Sequence, residues 1–207
     1  MPLLASFSVP NQSGIIRFMD KKPRLLVVSG PSGVGKGTLV HRIIAESGLP
    51  LTMSVSATTR KPRPGEADGR EYYFVSPDEF ETKRLAGEFL ECFEVFGTGT
   101  WYGTPRKMVE EGLAAGRWIV LEIDVQGTRR VKEEFPEAMT FFIEPKSLDV
   151  LRERLRGRGT ESEESMQHRL ERAMEELQYV TEFEYRIVND DLDTAVQEFI
   201  TIIKSLG

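Results

Sequence analysis

The chain of 207 residues is long enough for one domain with additions, rather than for a string of independent modules. Hydrophobic residues make up 40% and charged residues 29%, which excludes a largely disordered chain. The formal net charge of -6 argues against a dedicated nucleic-acid-binding protein, because such proteins gain affinity by neutralising phosphates. A small phosphate-bearing ligand remains compatible with this charge, since a local group of arginines can hold it.

The N-terminal residues and the cysteine content bear on the cellular compartment. Cys92 is the single cysteine, so an intrachain disulfide cannot form. The sequence has no run of 18 apolar residues and no basic start followed by an apolar stretch, so we expect neither a membrane span nor a signal peptide. We therefore expect a cytoplasmic protein without a membrane partner. Residues 1–22 show no hydrophobic periodicity and are predicted to form a flexible tail, with Met19 as an alternative start.

Short apolar segments alternate with helical patterns along most of the chain. The first strand is predicted at 24–30, and a helix follows from Lys36 to about Glu46, before Gly48. Later strands are predicted at 118–124, 139–145 and 185–190, and later helices at 105–115, 148–155, 163–180 and 192–206. This alternation is typical of an α/β fold with a parallel sheet flanked by helices.

Two stretches interrupt the alternation. Residues 52–104 are rich in Ser, Thr, Gly, Arg and aromatic residues, which predicts a small insertion with its own antiparallel strands. Residues 152–172 are dense in arginine and glutamate, with few large apolar residues, which predicts a solvent-facing cover.

The segment GPSGVGKGT lies between the first strand and the first helix and has the pattern of a phosphate-binding loop. Its glycines allow backbone N–H groups to surround a phosphate, the helix N-terminus adds a positive dipole end, and Lys36 adds a cation. The residue after the lysine is Gly37, where a hydroxyl ligand to magnesium is usual, so either Thr38 or a water molecule fills that place. The predicted ATP-binding loop therefore consists of Gly30, Pro31, Ser32, Gly33, Val34, Gly35, Lys36, Gly37 and Thr38.

Acidic residues follow the apolar strand that begins at Trp118. In LEID, strand alternation would place Glu122 and Asp124 on one face, where they could hold magnesium waters or substrate donors. The alternative is a carboxylate that caps the turn before Gln126. Together with Thr38, these two residues form the predicted magnesium site.

Arginines and tyrosines alternate in the insertion. The stretch SATTRKPRPGEADGREYYF holds Arg60 and Arg63 near Tyr72 and Tyr73. Arginine forks and phenolic hydroxyls suit a monoester phosphate, because together they offer bidentate and directional donors. Taken alone, the same stretch would equally be a polar surface hairpin.

The order of the motifs resembles guanylate kinases from about Arg24 to the C-terminus. The segments concerned are the phosphate loop, TTR-x-PR-x-GE-x-x-G-x-x-Y, FLE, WYGT, LEIDVQG, GRGT and IVNDDLD. The resemblance implies transfer of the γ-phosphoryl group of ATP to GMP, and by extension dGMP, with magnesium. One departure is FGTGTWYG, which is two residues longer than the family's FGNYYG, with Trp101 as the candidate to replace the first tyrosine.

The resemblance also implies roles for individual residues. Glu91 corresponds to the carboxylate that accepts from the guanine ring N–H and amine, Thr104 reaches the base, and Asp124 lies near the guanine and magnesium. Arg158 and Arg169 correspond to lid arginines that close over the transferred group, while Asn189 falls at an ATP-binding position. The implied GMP site comprises Ser56, Arg60, Arg63, Tyr72, Glu91, Tyr102, Thr104 and Asp124, and the implied catalytic residues are Lys36, Arg60, Arg158 and Arg169.

The sequence thus predicts one guanylate-kinase-like domain over 23–207. Its core is 23–53, 105–146 and 184–207, its GMP-binding insertion is 54–104 and its lid is 147–183. Two alternatives are a kinase for adenylate or a phosphorylated sugar, and a non-catalytic scaffold domain that binds phosphopeptides. The TTR-x-PR block and Glu91 argue against the first, and the intact phosphate loop argues against the second. ATP and GMP are the expected partners, without nucleic acid, and a homodimer is left open.

Overall fold

The computed structural model describes residues 24–95, 99–156 and 163–206, and the predicted tail therefore lies outside the described residues. Strands and helices alternate as the sequence predicts. The strands are β1 Leu25–Ser29, β2 Leu51–Met53, β3 Ala57–Thr58, β4 Tyr73–Phe74, β5 Phe89–Val95, β6 Thr100–Pro105, β7 Trp118–Glu122, β8 Met139–Glu144 and β9 Tyr185–Val188. The helices are α1 Lys36–Glu46, α2 Pro77–Leu85, α3 Arg106–Ala114, α4 Val125–Glu134, α5 Leu148–Arg156, α6 Glu163–Leu177 and α7 Leu192–Ser205.

The main sheet is parallel, with strand order β2-β7-β1-β8-β9, which confirms the predicted fold class. Every side chain of the central strand β1 is buried. Leu26 and Val28 pack into one apolar cluster, whereas Leu25 and Val27 pack into another on the opposite face. Because successive side chains of a strand point to opposite faces, the continuous apolar run reflects a sheet covered by helices on both sides.

A second sheet has the order β4-β3-β6-β5. Strand β6 pairs antiparallel with β3 and β5, as expected, but β3 and β4 run parallel. Helix α2 was not predicted: its periodicity is weak, because Phe80 is its one buried residue. Its start is nevertheless marked in the sequence, since the Ser76 hydroxyl accepts the N–H of Glu79 and Pro77 occupies the first turn.

Helix α4 corrects the interpretation of LEID. Strand β7 ends at Glu122, and Asp124 is instead the N-cap of α4, where its Oδ1 accepts the N–H of Gly127 at 2.8 Å. The expectation that Glu122 and Asp124 share one face of a strand is therefore wrong. The capping alternative describes Asp124 correctly, because a carboxylate there satisfies an N–H group of the first helical turn.

Helices α5 and α6 also differ from expectation. The stretch 152–172 was predicted to be a solvent-facing cover, yet Leu155, Met166 and Leu170 are buried in the main core cluster. Widely spaced apolar residues supply a narrow buried face among the charges, which the overall composition conceals. This face holds α5 and α6 against the phosphate loop.

Within the described ranges, no helix is long and apolar enough to cross a membrane. The proposed division into core, insertion and lid stays a prediction.

The start of the phosphate loop leaves no room for a side chain. Gly30 has a φ of +138°, and a Cβ there would overlap the carbonyl oxygen of Ile143 in β8. We expect Gly30→Ala to lower the melting temperature by about 6 °C or more, since backbone clash adds to left-handed strain. Gly48→Ala is the matched control: Gly48 has a φ of +69° with nothing within 4 Å of its Cβ position, so it should lose about 3 °C. Equal decreases in the melting temperatures of the two variants, measured by thermal unfolding, would contradict the steric constraint at Gly30.

Candidate active site

The phosphate loop joins β1 to α1 in a conformation that depends on glycine. Gly33 and Gly35 have φ values of +87° and +97°, and Gly35 is the N-cap of α1 without a side-chain cap. The N-terminal N–H groups of α1 therefore receive no side-chain cap and remain available to a phosphate. Lys36 Nζ donates to the carbonyl oxygens of Gly30 and Pro31, the second at 3.2 Å, so the cation lies over the loop.

Asn189 supports this loop from behind. The Asn189 side-chain amide is buried and donates to the carbonyl oxygen of Val34 at 2.8 Å, and Arg154 donates to the same oxygen at 3.3 Å. A Cβ on Gly35 would lie 2.8 Å from the Asn189 amide nitrogen. The structure therefore places Asn189 against the loop backbone, where its side chain fixes the loop's shape.

A cleft of about 660 Å³ opens beside the loop, at the carboxyl ends of β1 and β7. Ligands of open parallel sheets bind at this edge. The cleft lies between the phosphate loop, the second sheet and α6. It brings together Gly30, Ser32, Lys36, Ser56, Arg63, Tyr72, Glu91, Tyr102, Glu122, Asp124 and Arg169 from the predicted site.

Other predicted site residues lie outside the cleft lining. Thr38 is exposed on the first turn of α1, and Thr104 is buried behind Glu91. Trp101 packs with its ring centre 5.9 Å from that of Phe80, in the small core of the second sheet. Arg158 lies outside the described residues.

Arg60 is also outside the cleft lining, but it forms an ordered group with Tyr72 and Tyr102, which line the cleft. Its Nε donates to the hydroxyl of Tyr102 at 3.1 Å, and its guanidinium carbon lies 5.2 Å from the ring centre of Tyr72. The two rings meet edge to face, with their centres 5.6 Å apart. Burial raises the pKa of Tyr72, so its hydroxyl stays protonated and able to donate.

Glu91 is a buried carboxylate with one open acceptor. Oε1 accepts the Thr104 hydroxyl at 2.5 Å, while Oε2 has no hydrogen-bond partner among the described residues. A Cβ on Gly127 would lie 3.0 Å from Oε2, so a side chain at that position would crowd this buried oxygen. Burial raises the pKa of Glu91 to about 7, and the charge of Asp124 acts in the same direction. An unpaired buried acceptor is costly, so this oxygen calls for a ligand donor.

Helix α6 contributes two residues that the sequence reading missed. Arg172 lies 3.9 Å from Asp124 Oδ2 and 3.5 Å from Glu176 Oε1, and both Arg172 and Glu176 line the cleft. Arg169 on the same face donates to the Ser32 hydroxyl at 2.8 Å. Burial raises the pKa of Glu176, while Lys36 and Arg172 oppose this. The spacing 169, 172, 173 and 176 is one helix face, and this signal could have identified both residues.

Comparison with known proteins identifies the family. The guanylate kinase family model matches residues 22–206. The chain belongs to the guanylate kinase family. A guanylate kinase of Rhodopirellula baltica is 48% identical over 87% of each chain, and one of Gloeobacter violaceus is 53% identical over 84% of this chain and 83% of its own.

A solved structure of a guanylate kinase agrees with this result. The protein from Anaplasma phagocytophilum superimposes with a TM-score of 0.73 and 33% identity, over 88% of this chain and 85% of its own. The resemblance inferred from the motifs is thus confirmed, and guanylate kinases are nucleoside monophosphate kinases. The roles of individual residues stay predictions.

The environment of Glu91 predicts how stability depends on pH. A carboxyl whose folded pKa is raised stabilises the fold below its ordinary pKa, and this contribution is lost as pH rises through about 7. Glu91→Gln removes the buried charge. At pH 8 we expect its melting temperature to exceed that of the wild type by about 5 °C, on the order of 2 kcal/mol.

At pH 5 Glu91 is largely neutral in the folded wild type, so most of the difference in melting temperature should be lost. A difference that is the same at pH 5 and pH 8 would contradict a raised pKa at Glu91.

Proposed function

We propose that this chain transfers the γ-phosphoryl group of ATP to GMP, giving ADP and GDP, with dGMP as a second acceptor. The observation that carries the proposal is the composition of the cleft beside the phosphate loop. This cleft joins the loop to arginine and tyrosine side chains and to a buried carboxylate whose Oε2 has no hydrogen-bond partner among the described residues. These are the parts that a phosphoryl donor, a monoester phosphate and a guanine base would each require.

ATP binds with its outer phosphates in the loop. The backbone of 30–35 and the first turn of α1 supply N–H donors, and Lys36 supplies the charge. Lys36 donates to loop carbonyls, which keeps its ammonium within reach of a phosphate. Asn189 and Arg154 brace the same loop through the Val34 carbonyl.

GMP binds across the cleft, with its phosphate on the second sheet. Arg60, Arg63, Tyr72 and Tyr102 surround this position with cations and hydroxyl donors. Arginine suits a phosphate because its planar fork gives two parallel hydrogen bonds. The arrangement turns the acceptor phosphate toward the loop where the γ-phosphoryl group lies.

Glu91 selects the base. Guanine presents a ring N–H and an amine side by side, and the open Oε2 with its partner oxygen would accept this pair. Adenine lacks the ring donor, so AMP would leave a buried acceptor unpaired, a mismatch that discriminates strongly. Thr104 orients the carboxylate by donating to Oε1. A pKa near 7 means that GMP, whose donors favour the carboxylate, would promote ionisation on binding.

Catalysis rests on positioning and charge. The acceptor oxygen of GMP is already anionic, so no general base is needed. Arg169 on α6 contacts Ser32 in the phosphate loop, so it is already placed to reach the transferred group. Lys36, Arg60 and Arg158 complete the proposed catalytic set, and such cations stabilise charge on the equatorial oxygens during transfer.

The residues fit a hydrated magnesium ion. A Cβ on Gly37 would lie 3.3 Å from Glu122 Oε2, so the Glu122 carboxylate stands beside the first turn of α1. Mg²⁺ commonly takes one or two carboxylates together with waters and phosphates. Glu122 and Thr38 would hold the ion, with Asp124 acting through water because its Oδ1 is committed to the helix cap. When bound, magnesium neutralises charge on the phosphates.

We further propose that the protein acts in the cytoplasm on free nucleotides, without a nucleic-acid or membrane partner. Its single cysteine and net charge of -6 support this placement.

The function is tested by ADP release with GMP, dGMP, AMP, CMP and UMP as acceptors. We expect GMP to be the best acceptor, dGMP to follow, and AMP to be at least 10³-fold poorer in kcat/KM, since an unpaired buried carboxylate costs several kcal/mol. AMP proving the better acceptor, or no release that depends on GMP, would refute the proposal. Glu91→Gln should lose most of this selectivity while the KM for ATP stays within twofold.

The role of Arg169 gives a separate prediction. Arg169→Met should lower kcat by about 10²–10³-fold with little change in the KM for GMP, since the side chain would act on the transition state. Steady-state kinetics at saturating ATP measures both constants. Arg169→Lys keeps the charge but not the planar fork, so it should recover only part of kcat. A raised KM for GMP at unchanged kcat would assign Arg169 to acceptor binding instead.

A further inference from the structure

Glu66 lies in the loop between β3 and β4, which carries Arg60 and Arg63, and the proposed function gives it no role. Its carboxylate binds the guanidinium of Arg60 with two hydrogen bonds, from Nη1 at 2.8 Å and from Nη2 at 3.0 Å. Oε2 also accepts the backbone N–H of Arg63 at 2.7 Å. One carboxylate therefore contacts both residues that are proposed to grip the phosphate of GMP.

These contacts fix the plane of the Arg60 guanidinium. An arginine has five N–H groups. Nε–H points to Tyr102, Nη1 is shared between Glu66 and the Lys61 carbonyl at 2.8 Å, and Nη2 gives one bond to Glu66. One Nη2–H thus has no partner among the residues that the structure describes. A long flexible side chain held at both edges presents its last donor in a defined direction.

The ion pair is well shielded from water. The side chains of Arg60 and Glu66 are each 17% exposed, whereas the neighbouring pair Arg70–Glu71 is 64% and 35% exposed. The hydrogen bonds from Arg60, and then from the Arg63 N–H, lower the pKa of Glu66 to about 2. Glu66 therefore stays ionised at any pH at which the protein would work.

A fixed negative charge beside a phosphate site weakens phosphate binding by repulsion, unless the charged group also stabilises the geometry of the site. Glu66 would either compete with the phosphate for Arg60 or hold Arg60 ready for it. The Arg63 N–H favours the second function, because it anchors the carboxylate to the loop backbone independently of Arg60. Glu66 contacts the guanidinium of Arg60 from within this loop, whereas Tyr72 and Tyr102 line the cleft.

We propose that Glu66 is a positioning residue that holds Arg60, and the backbone at Arg63, in the geometry that grips the acceptor's phosphate. This inference rests on the proposed function. Its physical basis is preorganisation: an arginine ordered before binding loses less side-chain entropy when the phosphate arrives.

The loop between β3 and β4 offers a matched control. Glu71 also pairs with an arginine, accepting from Arg70 Nε at 2.6 Å, and also accepts a backbone N–H, that of Ala67 at 2.7 Å. Neither Arg70 nor Glu71 belongs to the proposed GMP site. Glu66→Gln and Glu71→Gln therefore remove the same chemistry from one loop, and only the first disturbs a proposed phosphate ligand.

The experiment compares the affinities for GMP and for guanosine, which lacks the phosphate. We expect Glu66→Gln to raise the KM for GMP about tenfold while the inhibition constant of guanosine and the KM for ATP change less than twofold. Glu71→Gln should change none of the three. In an Arg60→Lys background, Glu66→Gln should raise the KM for GMP less than twofold further, because the residue acts through Arg60.

Three outcomes would overturn the proposal. A lower KM for GMP in Glu66→Gln would make Glu66 a competitor of the phosphate. An equal loss of affinity for GMP and for guanosine in Glu66→Gln, or the same rise in the KM for GMP in Glu71→Gln, would indicate only a structural role. A full tenfold effect in the Arg60→Lys background would show that Arg60 is not the intermediary.

A second variant and the activity of the wild type keep the test decisive. If Glu66→Gln does not fold, Glu66→Asp is used, for which we expect a smaller rise in the KM for GMP and again no change for guanosine. Failure of the proposed function would appear differently, as a wild-type protein without GMP-dependent ADP release.

Discussion

The close approach of the phosphate loop to the backbone around it is the constraint on which the rest of the structure depends. The loop must turn between β1 and α1 with its N–H groups facing inward, and β8 leaves no space for a Cβ at Gly30. Behind the loop, the Asn189 amide occupies the volume that a side chain at Gly35 would need. Leu155 of α5 does the same at Gly33, where a Cβ would lie 2.6 Å from its Cδ2. The loop is therefore shaped from three directions by elements distant in sequence.

This packing also explains how an acidic chain holds anionic ligands. Three cations near the cleft are oriented by oxygen acceptors: Arg60 by Glu66, Arg172 by Asp124 and Glu176, and Lys36 by loop carbonyls. An overall charge of -6 therefore coexists with a local concentration of directed donors. Carboxylates that contribute to the negative total hold the cations in place, and the net charge alone does not reveal this.

The sequence predicts the parts of the structure that follow from local chemistry. The apolar run of β1, the glycines of the phosphate loop and most of the strands and helices have a direct signal, although α4 was not predicted. What it does not predict depends on tertiary context. Helix α2 buries only Phe80, so it lacks a hydrophobic periodicity. Asp124 was predicted as a strand residue but is a helix cap, because β7 ends at Glu122. In the sequence, Leu155 and Leu170 stand among charged residues, and the structure places them on one buried face of α5 and α6.

The same distinction applies to the cleft. Glu91 and Arg60 could be named through motif order, but the pairing of Arg60 with Glu66 could not, because it depends on how the loop after β3 folds back over six residues. Arg172 and Glu176 had a periodic signal on α6, yet only the structure shows that this face points at Asp124 and the loop. Motifs thus identify residues that contact a ligand more readily than residues that orient them.

Glu91 and Glu66 show two opposite uses of a carboxylate around one proposed site. Glu66 receives three hydrogen bonds from described donors, so its charge is fully compensated and its pKa falls to about 2. Glu91 receives a single side-chain donor, from Thr104, and its pKa rises to about 7. The Glu66 carboxylate has its hydrogen-bond donors within the protein and acts on neighbouring residues. At Oε2 the Glu91 carboxylate lacks a donor among the described residues, and it favours a ligand that donates a hydrogen bond. Structural and recognition roles can therefore be separated by asking which buried oxygens already have their donors.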